Sequence, residues 1–334
     1  METVRVGLVA DPAKPTDVAR RNQDLVSENG RPDWDIEVVS EPFTAASEEP
    51  EAALGRLDEL AHEHSWDVVV GLTELPLHDD DERYLLVDAD PRRRTAVLSL
   101  PAFGGLDMHR RSRSALRTLI SEMTDRPAGT DHRVSLSRRW GRLRVLLGMV
   151  LANRPWLLVP GLKSAMVAAL TTGAIATINS TVWLLAGSLS TWRLVIAMVV
   201  SIALVVGWLT IDGELWDRPE DDSQQARSRS RLYNASTLLT LTVGGVICYA
   251  ALYLMNLAWA LFVLDPAVMG GYLQMSFDYP DLFVLSWFVA SAATVGGALG
   301  SGLESDEAIR AAAYSKREEE RRTRLARRGR RRGH

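Results

Sequence analysis

The chain has 334 residues, with 38 Lys and Arg against 42 Asp and Glu, and a single cysteine, Cys248. That length allows two ordinary domains, and one cysteine excludes an internal disulfide and a cysteine-built zinc site. The net charge of −4 conceals a segregation that argues for separate modules. Residues 1–131 hold 27 acids against 15 bases, residues 132–163 hold seven bases and no acid, and eight arginines with no acid follow from Arg321.

Residues 1–131 read as an acidic α/β domain. "VRVGLVA", "DIEVVSEPF", "DVVVGLT", "YLLVDAD" and "TAVLSLPAF" are short β-branched runs between turn residues, and each predicts a strand. Helical patterns over 16–29, 49–64 and 107–124 alternate with them, as in a sandwich with some parallel pairing. The N-terminus shows no charged stretch followed by a long apolar run, so the domain is expected to stay in the cytosol.

Asp11, Thr73 and Glu74 follow strand ends, where open α/β sheets hold ligands, and are the candidate ligand-binding residues. Gly7 stands alone after a strand and makes no Gly-rich phosphate loop. His62 and His64 flank Glu63 without the spacing that sets two imidazoles on one helix face, so a solvated helix end is expected. "HDDDE" at His78–Glu82 reads as a solvated turn, because consecutive residues cannot all converge on one cation. No catalytic residue, metal set or cofactor motif is therefore expected, and no enzyme is the leading expectation.

Residues 132–155 form a basic amphipathic segment. Leu136, Trp140, Leu143, Leu147 and Val150 recur at helical spacing with arginines around them. The pattern predicts an interfacial helix on an anionic leaflet, or else a helix packed on the soluble domain.

Residues 156–302 hold four runs that meet the roughly 20-residue requirement for a spanning helix. They are 159–185, 191–211, 236–264 and 282–302. Seven Lys/Arg lie at 132–163, before and at the start of the first run, four lie in the loop at 212–233, and eleven follow Gly302, while the other two loops have none. By the positive-inside rule both termini and the middle loop are cytoplasmic, in a multi-pass protein of the cell membrane. Lys163 then lies a turn inside the cytoplasmic boundary, as an interfacial anchor whose stem carries the ammonium to the headgroups, or else as a contact for lipid or substrate.

No acid, histidine or base falls at mid-span, which argues against a driven transporter. Ser164, Thr171, Thr172 and Asn179 make a polar stripe on the first span, either for helix packing or for a path enclosed by an oligomer. Ser236, Thr240, Gly244 and Cys248 repeat four apart on the third span. Ala292, Gly296 and Gly300 do so on the fourth, where a close helix contact is expected. Asn179 and Asn256 are expected near the outer boundary, wetted. The tail at 303–334 ends in a basic run suited to anionic headgroups, and no nucleic-acid platform accompanies it.

"GALGSGLESDEAIRAAAYSKREEERR", "RLYNASTLLT" and "LVPGLKSAM" resemble segments shared by actinobacterial four-span membrane proteins of unknown function, over nearly the whole chain. Some of those proteins carry a methylenetetrahydrofolate dehydrogenase label. The chain has neither the YxxxK helix nor the Gly-rich nicotinamide loop of that enzyme family. "DVVVGLTELPL" with "AVLSLPAFG" is similar, faintly, to the strands before the zinc helix of archaemetzincin-type proteases; the helix after Asp107 holds only His109, so no peptidase residue carries over. The expected whole is an α/β cytosolic domain followed by an all-α four-helix transmembrane bundle. Its leading function is a sensing or docking domain coupled to that bundle in a homo-oligomer; the alternatives are an oligomeric pore or facilitator and a membrane-tethered enzyme.

Overall fold

A computed structural model describes residues 3–25, 33–44, 50–79, 83–105, 107–125, 132–219, 224–274 and 276–300. The basic tail at 303–334 and the acids Asp80, Asp81 and Glu82 lie outside the described residues. Two compact units separate between Ala152 and Asn153.

The first unit is built on a seven-stranded mixed sheet. Its elements are β1 (Val4–Ala10), α1 (Lys14–Arg21), β2 (Trp34–Ser40), α2 (Pro50–His64), β3 (Val68–Thr73), β4 (Leu77–His78), β5 (Tyr84–Asp90), β6 (Thr95–Ser99), α3 (Met108–Asp125), β7 (His132–Ser135) and α4 (Arg138–Ala152). The strand order is β2-β1-β3-β6-β5-β4, with β7 paired to β5. The neighbours β2, β1, β3 and β6 run parallel, and β4, β5 and β7 are added antiparallel. All five expected strands are present. The sequence reading missed β4 and β7, which have two and four residues, too few to show a period.

Residues 68–73 of β3 are all buried, as expected of a parallel strand covered on both faces. On one face Val6, Leu8, Val70 and Leu98 pack with Val18 and Ala19 of α1 and Leu116 and Ile120 of α3. On the other, Val9, Val69 and Val97 pack with Ala53, Leu57 and Leu60 of α2, together with Phe43 and Trp66. Each buried Leu or Val contributes about 1.5–3 kcal/mol, so the two faces together hold the sheet. Gly7 and Gly71 have a packing role: a Cβ on Gly7 would collide with the Trp66 indole, and one on Gly71 would fall 2.6 Å from the Phe43 ring.

Helix α4 belongs to this unit. Val145, Met149 and Val150 are buried, and Gly148 lies so close to the Pro101 carbonyl that a side chain there would clash. Trp140, Leu143 and Leu147 of the expected stripe are exposed instead. The helix thus docks through the face next to that stripe.

The second unit comprises α5 (Leu158–Gly161), α6 (Lys163–Thr177), α7 (Ser180–Ser188), α8 (Thr191–Asp212), α9 (Gln224–Val263), α10 (Pro266–Leu273) and α11 (Tyr279–Gly300). Four stretches are long and apolar enough to cross a membrane: Trp140–Gly161, Thr191–Asp212, Arg227–Val263 and Tyr279–Gly297. Three of them match expected spans. The first expected span is not one straight helix, because α6 and α7 meet at a bend of 89°. The cause is local. Asn179 leaves the helical region and its side chain caps α7 by accepting from the Thr181 amide, while the Trp183 indole donates to the Thr177 carbonyl that ends α6. Both orphaned helix ends thereby find partners. Trp140–Gly161 is itself interrupted at Arg154, whose φ is 50°.

Candidate ligand site at the strand ends

Open α/β sheets hold ligands at the carboxyl ends of neighbouring strands whose connections leave in opposite directions, and the order β2-β1-β3 makes β1 and β3 such a pair. The residues of this edge come from four parallel strands. The Asp11 amide donates to the Leu72 carbonyl at 3.0 Å, which ties the end of β1 to that of β3. Asp11 is only 7% exposed, and both of its carboxylate oxygens accept from the Thr44 hydroxyl, at 3.3 and 3.5 Å. The Thr16 hydroxyl donates to the Asp11 carbonyl at 3.0 Å and lies 2.7 Å from the Ser40 hydroxyl.

Thr73 is fully buried, and its hydroxyl accepts from the Leu75 amide, so it shapes the turn after β3. Ser99, at the end of β6, donates to the Leu75 carbonyl at 2.8 Å. Glu74 is partly exposed on the same turn. Asp11 and Thr73 therefore stand on adjacent strand ends. The sequence reading missed Thr16, Ser40, Thr44 and Ser99; Ser40 and Ser99 close β2 and β6 and Thr44 follows β2, whereas Thr16 lies within α1 and carried no strand-end signal.

Backbone strain marks the same edge. Ala13, between β1 and α1, has φ 77° and ψ −124°, a conformation that costs a residue with a Cβ about 1–3 kcal/mol. Chemically the edge is rich in acceptors and hydroxyls. Among the described residues the hydroxyls of Thr16, Ser40, Thr44, Thr73 and Ser99 bond to backbone groups, to Asp11 or to one another. His109, the histidine that follows Asp107, meets an Arg21 guanidinium nitrogen at 3.2 Å. Partial desolvation, then the Arg21 and Lys14 charges, hold its imidazole below the usual range. His64 stacks on Trp66 with ring centroids 4.3 Å apart. Among the described residues no three His, Cys, Asp or Glu side chains gather as a metal set.

The candidate residues of the second unit fall differently from expectation. Lys163 is exposed at the first position of α6. Ser164, Thr171, Thr172 and Asn179 are exposed as well, and the two threonine hydroxyls bond back to the carbonyls of Val167 and Ala168. The buried face of α6 is Ala165, Ala169, Gly173 and Thr177, one residue out of phase. The fourth span shows the same offset. Ala292 is exposed and, among the described residues, a Cβ on Gly296 would meet Thr172 alone, at 3.9 Å, whereas one on Gly297 would fall 2.9 Å from the Ala169 Cβ and 3.2 Å from the Ala165 carbonyl oxygen. Gly300 closes α11. The close approach of α11 to α6 is made at Gly297.

On α9 the stripe Ser236, Thr240, Gly244 and Cys248 is buried, and it continues through Leu252 and Asn256. Asn256 corrects the sequence reading: it is fully buried, not wetted. Its amide donates to the Leu252 carbonyl at 2.9 Å, and its oxygen lies where a side chain on Gly173 would be.

Comparison of the chain with known protein families, curated proteins and solved structures finds no match to any of them. Fold and site together define the class: a mixed-sheet domain followed by helices, four of them long and apolar enough to span a membrane.

Proposed function

We propose that this chain is a multi-pass cell-membrane protein whose sheet domain, on the cytoplasmic side with both termini, senses or docks a ligand and biases the membrane helices. The carrying observation is the β1/β3 strand-end edge, where a strained Ala13 turn stands beside a buried Asp11 carboxylate. The site's acceptors suit a ligand that brings cationic or hydrogen-bond-donating groups. In this reading α6 and α7 together form a broken first span, α8, α9 and α11 supply the others, and Lys163 anchors the first span at the headgroups. The resemblance to actinobacterial four-span proteins is part of the same proposal. A homo-oligomer with a polar path is the second reading, favoured by one observation: Ser164, Thr171, Thr172 and Asn179 face outward from a single chain.

Two measurements on the full chain separate these readings. In proteoliposomes, imposed K⁺ and Cl⁻ gradients should dissipate at the rate of empty liposomes. In nanodiscs, a polar small-molecule extract of cytosol should raise the melting temperature, and Asp11→Asn and Thr73→Val should each remove the rise. Gradient-driven flux, or a rise untouched by both substitutions, contradicts the sensing site.

A further inference from the structure

We propose that Arg111 and Arg144 grip the phosphate of an anionic phospholipid headgroup beside the exposed apolar stripe of α4. Arg111 Nη1 and Arg144 Nη2 both donate to the Phe103 carbonyl oxygen, at 3.1 and 3.3 Å. Two donors on one oxygen hold the guanidiniums side by side. Among the described residues neither forms an ion pair, and Nε of Arg144 is buried with no acceptor. Like charges held together repel, and the arrangement is relieved by an anion that accepts from both forks.

The backbone beneath is shaped to keep them there. Gly104 has φ 78°, a conformation in which glycine carries no Cβ penalty. A Cβ at Gly104 would stand 3.2 Å from Cγ of Arg144, so the loop supports that side chain's stem.

The surroundings name the source of the phosphate. Trp140, Leu143 and Leu147 are 75%, 48% and 44% exposed, and at i, i+3 and i+7 they share one helix face with Arg144 between them. Arg142 is exposed on the same helix. An apolar face flanked by arginines is the composition of an interfacial helix on an anionic leaflet. The residue after α4 opens the unit that carries three of the four candidate spans. A soluble phosphate would account for the arginines but leave Trp140 unexplained. The inference rests on the membrane reading above, and not on the strand-end site.

The test is a lipid titration of the full chain in neutral detergent, read as a shift in melting temperature. Phosphatidylglycerol should raise it and phosphatidylcholine should not. Arg111→Gln and Arg144→Gln should each cut the rise by at least half, the pair together should abolish it, and Arg142→Gln should keep most of it. Arg111 is exposed, so Arg111→Gln carries the test if changing Arg144 impairs folding. Arg111→Lys should restore only part of the effect, since an ammonium lacks the fork. The proposal is overturned if the double variant keeps the full rise, if inorganic phosphate alone reproduces it, or if both lipids act alike. Thr73→Val should leave the rise intact, so failure of the strand-end site and failure of the phosphate grip read out separately.

Discussion

Gly297→Leu will destabilise the packing of α11 on α6, and Gly296→Leu, one residue away, will be tolerated. At Gly297 the Cβ alone would stand 2.9 Å from the Ala169 Cβ and 3.2 Å from the Ala165 carbonyl oxygen. Neither neighbour has a flexible end that can swing aside, so α11 and α6 must separate to admit even a methyl group. Overpacking of this kind costs about 1–3 kcal/mol and sometimes more, and in lipid no hydrophobic driving force would offset the lost van der Waals contact. At Gly296 a Cβ would meet, among the described residues, Thr172 at 3.9 Å, and Thr172 is itself exposed. In detergent, Gly297→Leu should lower the melting temperature and broaden the size-exclusion peak, with Gly296→Leu matching wild type in both. Equal behaviour of the two variants contradicts the packing.

Trp66→Ala should produce the largest loss in the sheet domain. The indole covers Gly7, where no side chain fits, so its removal empties a volume that β1 cannot refill. It also loses the 2.8 Å bond from its ring nitrogen to Glu37 and the stack with His64. Truncating a buried Trp costs about 3–5 kcal/mol, equivalent to roughly a hundredfold or more in the opening equilibrium. Hydrogen exchange of the β1 and β3 amides in the full chain should accelerate by that factor. Trp216→Ala, at an exposed tryptophan, should leave those amides unchanged. Unaltered protection in Trp66→Ala removes the indole from the core.

These two sites also show which features sequence made visible. Strands such as Val68–Thr73 declare themselves because a buried parallel strand must be apolar at every position. The hydroxyls of the strand-end edge did not, since a lone Thr44 or Ser99 resembles any turn residue until the sheet order brings it beside Asp11 or Leu75. Small-residue stripes carry a period but no phase. On α6, Ser164, Ala168 and Thr172 compete with Ala165, Ala169 and Gly173, both four apart, and only the shape of the neighbouring helices selects the second. The bend at Asn179 was hidden for another reason. Asn favours helix caps and turns alike, so one Asn in an apolar run does not by itself place a helix end. For α4, the two readings offered by the sequence divide the helix between them: one face docks on the sheet domain, and the stripe of Trp140, Leu143 and Leu147 remains exposed.

The central claim, a broken first span with the sheet domain inside, is tested most directly by thiol accessibility on intact cells. In a Cys248→Ala background, single cysteines replace Ser114, Ser188, Ser223, Ser276 and Ser315. The account predicts that an impermeant thiol reagent labels the positions in the two Lys/Arg-free loops, Ser188→Cys and Ser276→Cys. It predicts that the other three react only after lysis. Labelling of Ser223→Cys from outside would invert the topology. Labelling of Ser114→Cys alone among those three would show that Trp140–Gly161 crosses the membrane, and the sheet domain would then stand outside.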